Sequence, residues 1–386
     1  MIRCTTARVN LAALESNFRA IEAYLAQEAA INRGAGAGPG QPPGIIAVVK
    51  ANAYGHGAKA VALALERAGA TMLAVADIEE GVELRTAGVR VPILIFGALS
   101  VSDVHGVFDH WLTPTISSPA AGRALHDAAA LRREILSYHL KIDTGMNRLG
   151  FRHDNLYATV PELLSSSHLK LEAEHTHFGT ADEPGDALFD EQRTRFEAAI
   201  QVLDSLGAAP RARHAANSAA LLRDSRVWYD FVRPGLLIYG VAPPPMHTTI
   251  ALRPVMSLVS RVVAVKGVRV GETVGYGGRF TAERPVTLAV VPAGYADGLD
   301  RRLEGRGQVL IRGRRAPIVG SVSMDMLTVD VTDVDHVSPG DEVVFLGSQG
   351  TESWQTIDPR EMAAWIGTIP YEVLCRLGSR VERQVI

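Results

Sequence analysis

Two cysteines in 386 residues leave no room for a disulfide framework. Cys4 and Cys375 stand at opposite ends of the chain, so reduced thiols are expected, and two thiols do not make a metal site. No apolar run approaches the roughly 20 residues that a transmembrane helix requires. The amino terminus, MIRCTTARVNLAALESNF, lacks the basic flank, apolar core and small-residue cleavage site of a secretory signal, which makes the cytoplasm the expected compartment. Neither sign of charge dominates. A formal net charge of −3 gives no electrostatic basis for binding nucleic acid or an anionic membrane. What remains is a globular composition, 47% hydrophobic and 21% charged, in a chain long enough for a large barrel and a second unit.

Helical spacing of apolar residues runs from about Leu11 to Ala30, with Asn10 as N-cap. A Gly/Ala/Pro stretch, Gly34 to Gly44, reads as a surface loop. Eight short apolar runs then alternate with helical segments: Ile45–Lys50, Met72–Asp77, Val91–Gly97, Trp111–Ser117, Tyr138–Asp143, Leu171–Phe178, Ala212–Ser218 and Phe231–Gly240. That rhythm predicts an α/β fold, an eight-stranded (β/α) barrel over residues 11–245. Ala242-Pro243-Pro244-Pro245 ends it. Strands at Met256–Val265, Val286–Val291, Gln308–Ile311, Ala316–Val319, Met326–Val331 and Asp341–Leu346 follow, with one helix near Pro359–Ile366. Residues 246–386 therefore form a mainly β domain, with which residues 1–10 pack.

The run Ile45-Ile46-Ala47-Val48-Val49-Lys50-Ala51-Asn52-Ala53-Tyr54-Gly55-His56-Gly57 is the most informative. Its apolar part reads as a buried parallel strand that ends on Lys50, where barrel enzymes build their sites. Desolvation there lowers the ammonium pKa and frees the amine for Schiff-base chemistry. Strand alternation puts His175 and His177 on one face, so H-x-H admits a metal reading, which no further His/Asp cluster supports.

AVVKANAYGHG, KIDTGMNRLGF, THF, ANSAA, VRPGLLIYG, GYGGRF, GYADG, SMDM and PYE occur in this order. Together they resemble the alanine racemase family of barrel-fold enzymes that use pyridoxal 5′-phosphate (PLP). The match runs from about Arg8 to Glu372. The resemblance implies a homodimer that interconverts L- and D-alanine and feeds D-alanine to peptidoglycan. It makes Lys50 the covalent tether for PLP and one of two bases. It makes Tyr276 the opposite base, delivered by the partner subunit. Tyrosine has a reference pKa of about 10, and an imidazole held by a cation, His177, would lower it.

For the cofactor phosphate the resemblance implies Tyr54, Asn217, Ser218, Gly235, Leu236 and Tyr371. Arg233 would face the pyridine nitrogen. Because arginine stays protonated, it leaves the ring a weaker electron sink and disfavours transamination. His214 would orient that arginine. Arg148 would bond both the cofactor's phenolic oxygen and the substrate carboxylate, paired with a carbamylated Lys141. Met324, Tyr295 and Asp325 complete the substrate site. Tyr371, Tyr276, Asp182 and Arg301 resemble an entrance gate.

The sequence departs from the family pattern in the long Gly34–Gly44 stretch, in GYADGLDR before Arg301, and in Ser323, where cysteine is common. Rival readings are a barrel-type PLP decarboxylase, a racemase of broader range, a single-barrel PLP carrier and a metal-dependent barrel hydrolase. Tyr276 and Arg233 favour proton shuttling over decarboxylation, and the whole β domain argues against the carrier.

Overall fold

The protein is described by a computed structural model covering residues 4–34, 41–98, 104–350 and 354–386. The centre of the Gly34–Gly44 stretch lies outside the described residues.

Asn10 accepts from the Ala13 amide at 2.8 Å and starts a helix at Leu11–Gly34. Leu14, Phe18, Ile21 and Leu25, spaced three and four apart, are fully buried along it. Each such side chain contributes roughly 1.5–3 kcal/mol by leaving water. Asn17 on the same helix is buried without loss, because its amide donates to the Ile238 and Arg253 carbonyls and accepts from the Arg253 N–H.

Eight parallel strands close into a barrel. In chain order they are Gly44–Val48, Met72–Val75, Ile93–Ile95, Leu112–Ile116, Leu136–Asp143, Leu169–His175, Ala212–Asn217 and Phe231–Arg233. Each pairs with the next, and the eighth pairs with the first. All eight expected strands are present. Most stop earlier than the apolar runs suggest, the sixth and eighth by the most. The eighth ends at Arg233 because Pro234 supplies no N–H, and the chain turns through residues 235–239. The sixth ends at His175, two residues before His177, so the alternation argument does not extend to His177.

The expected strand Met256–Val265 is two strands. Met256–Arg261 lies between Thr6–Val9 and Glu342–Gln349, whereas Ala264–Val268 pairs with Val286–Val291. The chain changes neighbours at Val262–Val263, so pairing cannot be continuous. The whole C-terminal sheet is mainly antiparallel, with helices at Pro359–Ile366 and Pro370–Cys375. Thr6–Val9 enters it antiparallel to Met256–Val259 and parallel to Glu382–Val385. A two-stranded hairpin, Thr273–Val274 with Phe280–Thr281, carries Tyr276 at its tip. Val268, Val274, Ala282, Val286, Leu288 and Val319 form a small separate core beneath it. Among the described residues no helix is long and apolar enough to cross a membrane.

Candidate active site

Lys50 is not the last residue of its strand. The strand ends at Val48, and Lys50 opens a tight turn, Lys50–Tyr54, at the carboxyl end of the barrel. Ala51, Asn52, Ala53 and Tyr54 all have φ between 52° and 54°. Four consecutive L residues thus follow a left-handed helical path, at a cost of roughly 1–2 kcal/mol each. Side chains and backbone hold the turn. Asn52 Oδ1 accepts from the Ala58 N–H at 2.7 Å, and Glu80 accepts from the Ala51 N–H at 2.6 Å. At Gly55, φ is 80° and a Cβ would stand 2.2 Å from the Leu374 carbonyl, so glycine is required.

This path gives Lys50 and Tyr54 to the same region. Burial lowers the Lys50 ammonium pKa, the Arg148 and Arg233 charges lower it further, and Glu80 opposes them. Tyr54 is buried between two other tyrosines, its ring centroid 4.9 Å from Tyr239 and 5.9 Å from Tyr371. Burial pushes its phenol pKa up. A Cβ on Gly235 would lie 2.2 Å from the Tyr54 hydroxyl oxygen. The Gly235 N–H donates to Ser218 Oγ at 2.9 Å. Asn217 accepts from the Ala220 N–H as the N-cap of a short helix, which occupies its carbonyl oxygen. Burial, with Asp182 nearby, pushes the Tyr371 phenol up to about 12.

Arg233 is buried beneath. It donates to His214 Nδ1 at 2.8 Å, to the Thr176 and Ala215 carbonyls at 2.8 Å each, and to His177 Nδ1 at 3.3 Å. Desolvation lowers its pKa to about 9, so it stays cationic at neutral pH. Burial first, and then the Arg233 charge, hold His177 neutral. Because Arg233 occupies His177 Nδ1 with a donor, that ring carries its proton on Nε2. His175 lies apart from this contact, stacked on His214 at 4.5 Å, with neither ring nitrogen hydrogen-bonded.

Burial, with Arg233 and Arg148 close by, holds the Lys141 pKa far below that of a free lysine. Arg148 projects from a loop closed by Asp143, which accepts from the Gly145 and Asn147 N–H groups at 3.0 Å each. Arg148 influences Lys50, Lys141 and His177 together, which sets it among them.

Residues 9–243 match the family model of the alanine racemase N-terminal domain, and residues 255–385 that of the C-terminal domain. The chain belongs to the alanine racemase family. An alanine racemase of Sorangium cellulosum is 41% identical over 389 residues, covering 99% of both chains. One of Symbiobacterium thermophilum is 40% identical over 383 residues, covering 99% of this chain and 97% of the other. The solved alanine racemase of Bacillus anthracis with bound L-Ala-P superposes with a TM-score of 0.88 at 33% identity, covering 100% of this chain and 96% of that one. As an alanine racemase the chain is an isomerase acting on alanine.

Of the remaining expected residues, Asp182 lies in a turn before the barrel helix Ala187–Ser205, and the others lie on the β domain. Tyr276 is 75% exposed, Met324 51% and Tyr295 43%. Tyr295 and Met324 share one ledge, since the Tyr295 N–H donates to the Ser323 carbonyl and the Ala296 N–H to the Met324 carbonyl. Arg380 ties the ledge down, donating to Asp297 at 2.8 and 3.1 Å, to the Met324 carbonyl at 3.2 Å and to Asp325 at 2.8 Å. Arg301 opens a short 3-10 turn, Arg301–Leu303.

Three residues of the site's framework escape sequence reading. Glu80 holds the turn after Lys50. Arg380 holds the ledge. Gln192, fully buried on the helix Ala187–Ser205, donates to the His177 carbonyl at 3.0 Å and accepts from the Gly179 N–H at 2.8 Å. All three act on backbone groups far away in sequence, so no local motif marks them.

Proposed function

We propose that the chain interconverts L- and D-alanine with PLP held in the mouth of the barrel, Lys50 and Tyr276 acting on opposite faces of Cα. The observation that carries this reading is the environment of Lys50. Its amine is half-buried at the carboxyl end of the barrel, and its ammonium form is disfavoured by burial and by Arg148.

The residues present fit the cofactor. Gly235 has no Cβ, which lets the Tyr54 hydroxyl approach its backbone, and the Ser218 hydroxyl meets the same backbone at the Gly235 N–H, a composition suited to a phosphate. Tyr54, Asn217, Ser218, Gly235, Leu236 and Tyr371 would hold that phosphate. When bound, PLP supplies an aldehyde for the Lys50 amine and a conjugated ring that withdraws electrons from Cα.

The chain's own groups then move the proton. Lys50 Nζ takes or returns it on one face. On the other face the work falls to Tyr276 of the partner subunit, whose exposure in a single chain suits a residue delivered to a second copy. With Nδ1 taken by Arg233, a neutral His177 offers its Nε2–H as a hydrogen-bond donor, because burial and the Arg233 charge make its cationic form costly. Arg233, cationic and without an acidic partner, would keep the pyridine nitrogen unprotonated. Arg148 would bind the substrate carboxylate. A neutral Lys141 amine is the form that adds carbon dioxide, and the resulting carbamate would pair with Arg148. Met324, Tyr295 and Asp325 of the partner subunit would close the substrate site, and Tyr371, Asp182 and Arg301 would line its entrance.

The reading includes a barrel domain over 11–245, a β domain over 246–386, a cytoplasmic homodimer and a supply of D-alanine for peptidoglycan. The test is chiral analysis of product from L-alanine and a panel of other L-amino acids, with PLP added and released carbon dioxide measured. D-alanine formation without carbon dioxide, lost in Lys50→Ala, is expected. Carbon dioxide release would establish the decarboxylase instead. Comparable turnover across the panel would establish the broader racemase.

A further inference from the structure

We propose that Glu80 is a positioning residue for Lys50, its carboxylate clamping the left-handed turn that follows the lysine to the end of the neighbouring barrel strand. Oε1 accepts from the Ala51 N–H at 2.6 Å, and Oε2 accepts from the Ala76 N–H at 2.8 Å. Ala51 directly follows Lys50, and Ala76 directly follows the strand Met72–Val75. One carboxylate therefore joins the outlets of the first and second strands.

Glu80 is itself fixed. It lies in the first turn of the helix Ile78–Thr86, and its N–H donates to the N-cap Asp77 Oδ1 at 2.9 Å. A carboxylate accepting two N–H groups makes charge-assisted bonds, about twice as strong as neutral ones. They act where the backbone first enters the left-handed region, at Ala51, with φ 53° and ψ 54°. An alanine there prefers other conformations, so the turn needs an external hold. If the hold is lost, the Ala51 peptide relaxes and the Lys50 side chain swings with it. Glu80 also faces Lys50 as a negative charge that opposes the effects of burial and Arg148. Acidic residues in the first turn of a helix are ordinarily read as dipole partners, which conceals this role in the sequence.

The proposal rests on Lys50 being the reactive amine. Glutamine at position 80 keeps one acceptor but turns an –NH2 toward the other N–H, and alanine removes both acceptors. The experiment compares the PLP-loaded wild type, Glu80→Gln and Glu80→Ala. Steady-state constants should show kcat falling about 10- to 100-fold, as expected for a displaced reacting group, with KM changing little and Glu80→Gln the milder variant. The pH limb set by the Lys50 amine should move to lower pH in both variants.

Two readouts do not depend on turnover. One is amide hydrogen exchange of residues 50–57 and 76, which should accelerate. The other is the rate at which PLP followed by borohydride labels Lys50, which should fall. Unchanged exchange and labelling would overturn the proposal, as would kcat within about twofold of wild type in both variants. If the wild type labels at Lys50 but does not racemise alanine, the proposed reaction fails, and exchange and labelling still decide the role of Glu80.

Discussion

Arg233 donates to His214 at 2.8 Å, and this contact orders the protons along a buried chain of rings. Arginine only donates, so His214 Nδ1 accepts and its proton sits on Nε2. That Nε2 lies 2.9 Å from His139 Nδ1, which must then accept in turn. Arg233 is thus a buried cation whose hydrogen bonds, among the described residues, run outward to neutral rings and carbonyls. Among the described residues no carboxylate bonds it, and burial first, then the Arg233 charge, keeps the His139 and His214 rings uncharged.

Those rings predict acid sensitivity. Burial lowers the pKa of His56 to about 4 and of His139 to about 3, and holds His175, His177 and His214 well below the usual value. In the unfolded chain each binds a proton below about pH 6.5. The unfolded state therefore gains protons that the fold excludes, and stability falls as pH falls. Each histidine costs up to about 1.4 kcal/mol per pH unit below 6.5, until the pH reaches its folded value. Urea unfolding between pH 8 and 5 should show the midpoint dropping steeply on the acid side. A flat profile would contradict the neutral-ring picture.

Gly235→Ala should weaken PLP binding more than it weakens the fold. The new methyl would meet the Tyr54 hydroxyl oxygen at 2.2 Å and the adjoining ring carbon at 2.8 Å. Overpacking of this kind costs about 1–3 kcal/mol, so cofactor affinity should fall roughly 5- to 150-fold. Titration of PLP absorbance against the variant measures this. Adding Tyr54→Phe should recover only part of the space, because the ring carbon stays.

Tyr276→Phe tests the proposal that two bases act on opposite faces of Cα. The equilibrium between enantiomers has a constant of one, so kcat/KM must fall equally in both directions. The asymmetry instead appears in isotope exchange. In deuterated water one enantiomer should still exchange its α-hydrogen through Lys50 without inverting, while the other should exchange slowly. Slow exchange from both enantiomers would argue against two bases.

Arg380→Ala should loosen the ledge that carries Tyr295 and Met324. Four bonds from one guanidinium, to Asp297, the Met324 carbonyl and Asp325, are lost together. KM for alanine should rise about tenfold with a smaller change in kcat, while the thermal midpoint of the barrel stays within a few degrees. Steady-state kinetics in both directions check this. An unchanged KM would remove the ledge from substrate binding.

Much of this was legible in sequence because the signals are local. A buried parallel strand is a short apolar run, and all eight barrel strands announce themselves in that way. Asn10 before Leu11 and Asp358-Pro359 before the late helix are caps whose chemistry acts within one turn. The left-handed path of Ala51-Asn52-Ala53-Tyr54 has no such mark, since none of its residues favours that conformation strongly except Asn52. Glu80, Gln192 and Arg380 were equally hidden. Each has at least one partner that is brought near only by the closed barrel or the folded sheet: the Ala51 N–H, the His177 carbonyl, and Asp297 with the Met324 carbonyl.

The strand Thr6–Val9 sits between Met256–Val259 and Glu382–Val385, and the Ile386 N–H donates to the Val9 carbonyl at 2.9 Å. During synthesis the barrel strands can all pair once residue 233 has emerged. The sheet beside them cannot: Thr6–Val9, which precedes the barrel, lies between two strands that follow it, Met256–Arg261 and Glu382–Val385. Thr6–Val9 stays unpaired until Met256–Arg261 has followed the barrel out, and it gains its second neighbour only with Glu382–Val385. The hairpin bearing Tyr276 also follows the barrel in the chain, so the strands around Lys50 can close before the sheet beside that hairpin is complete.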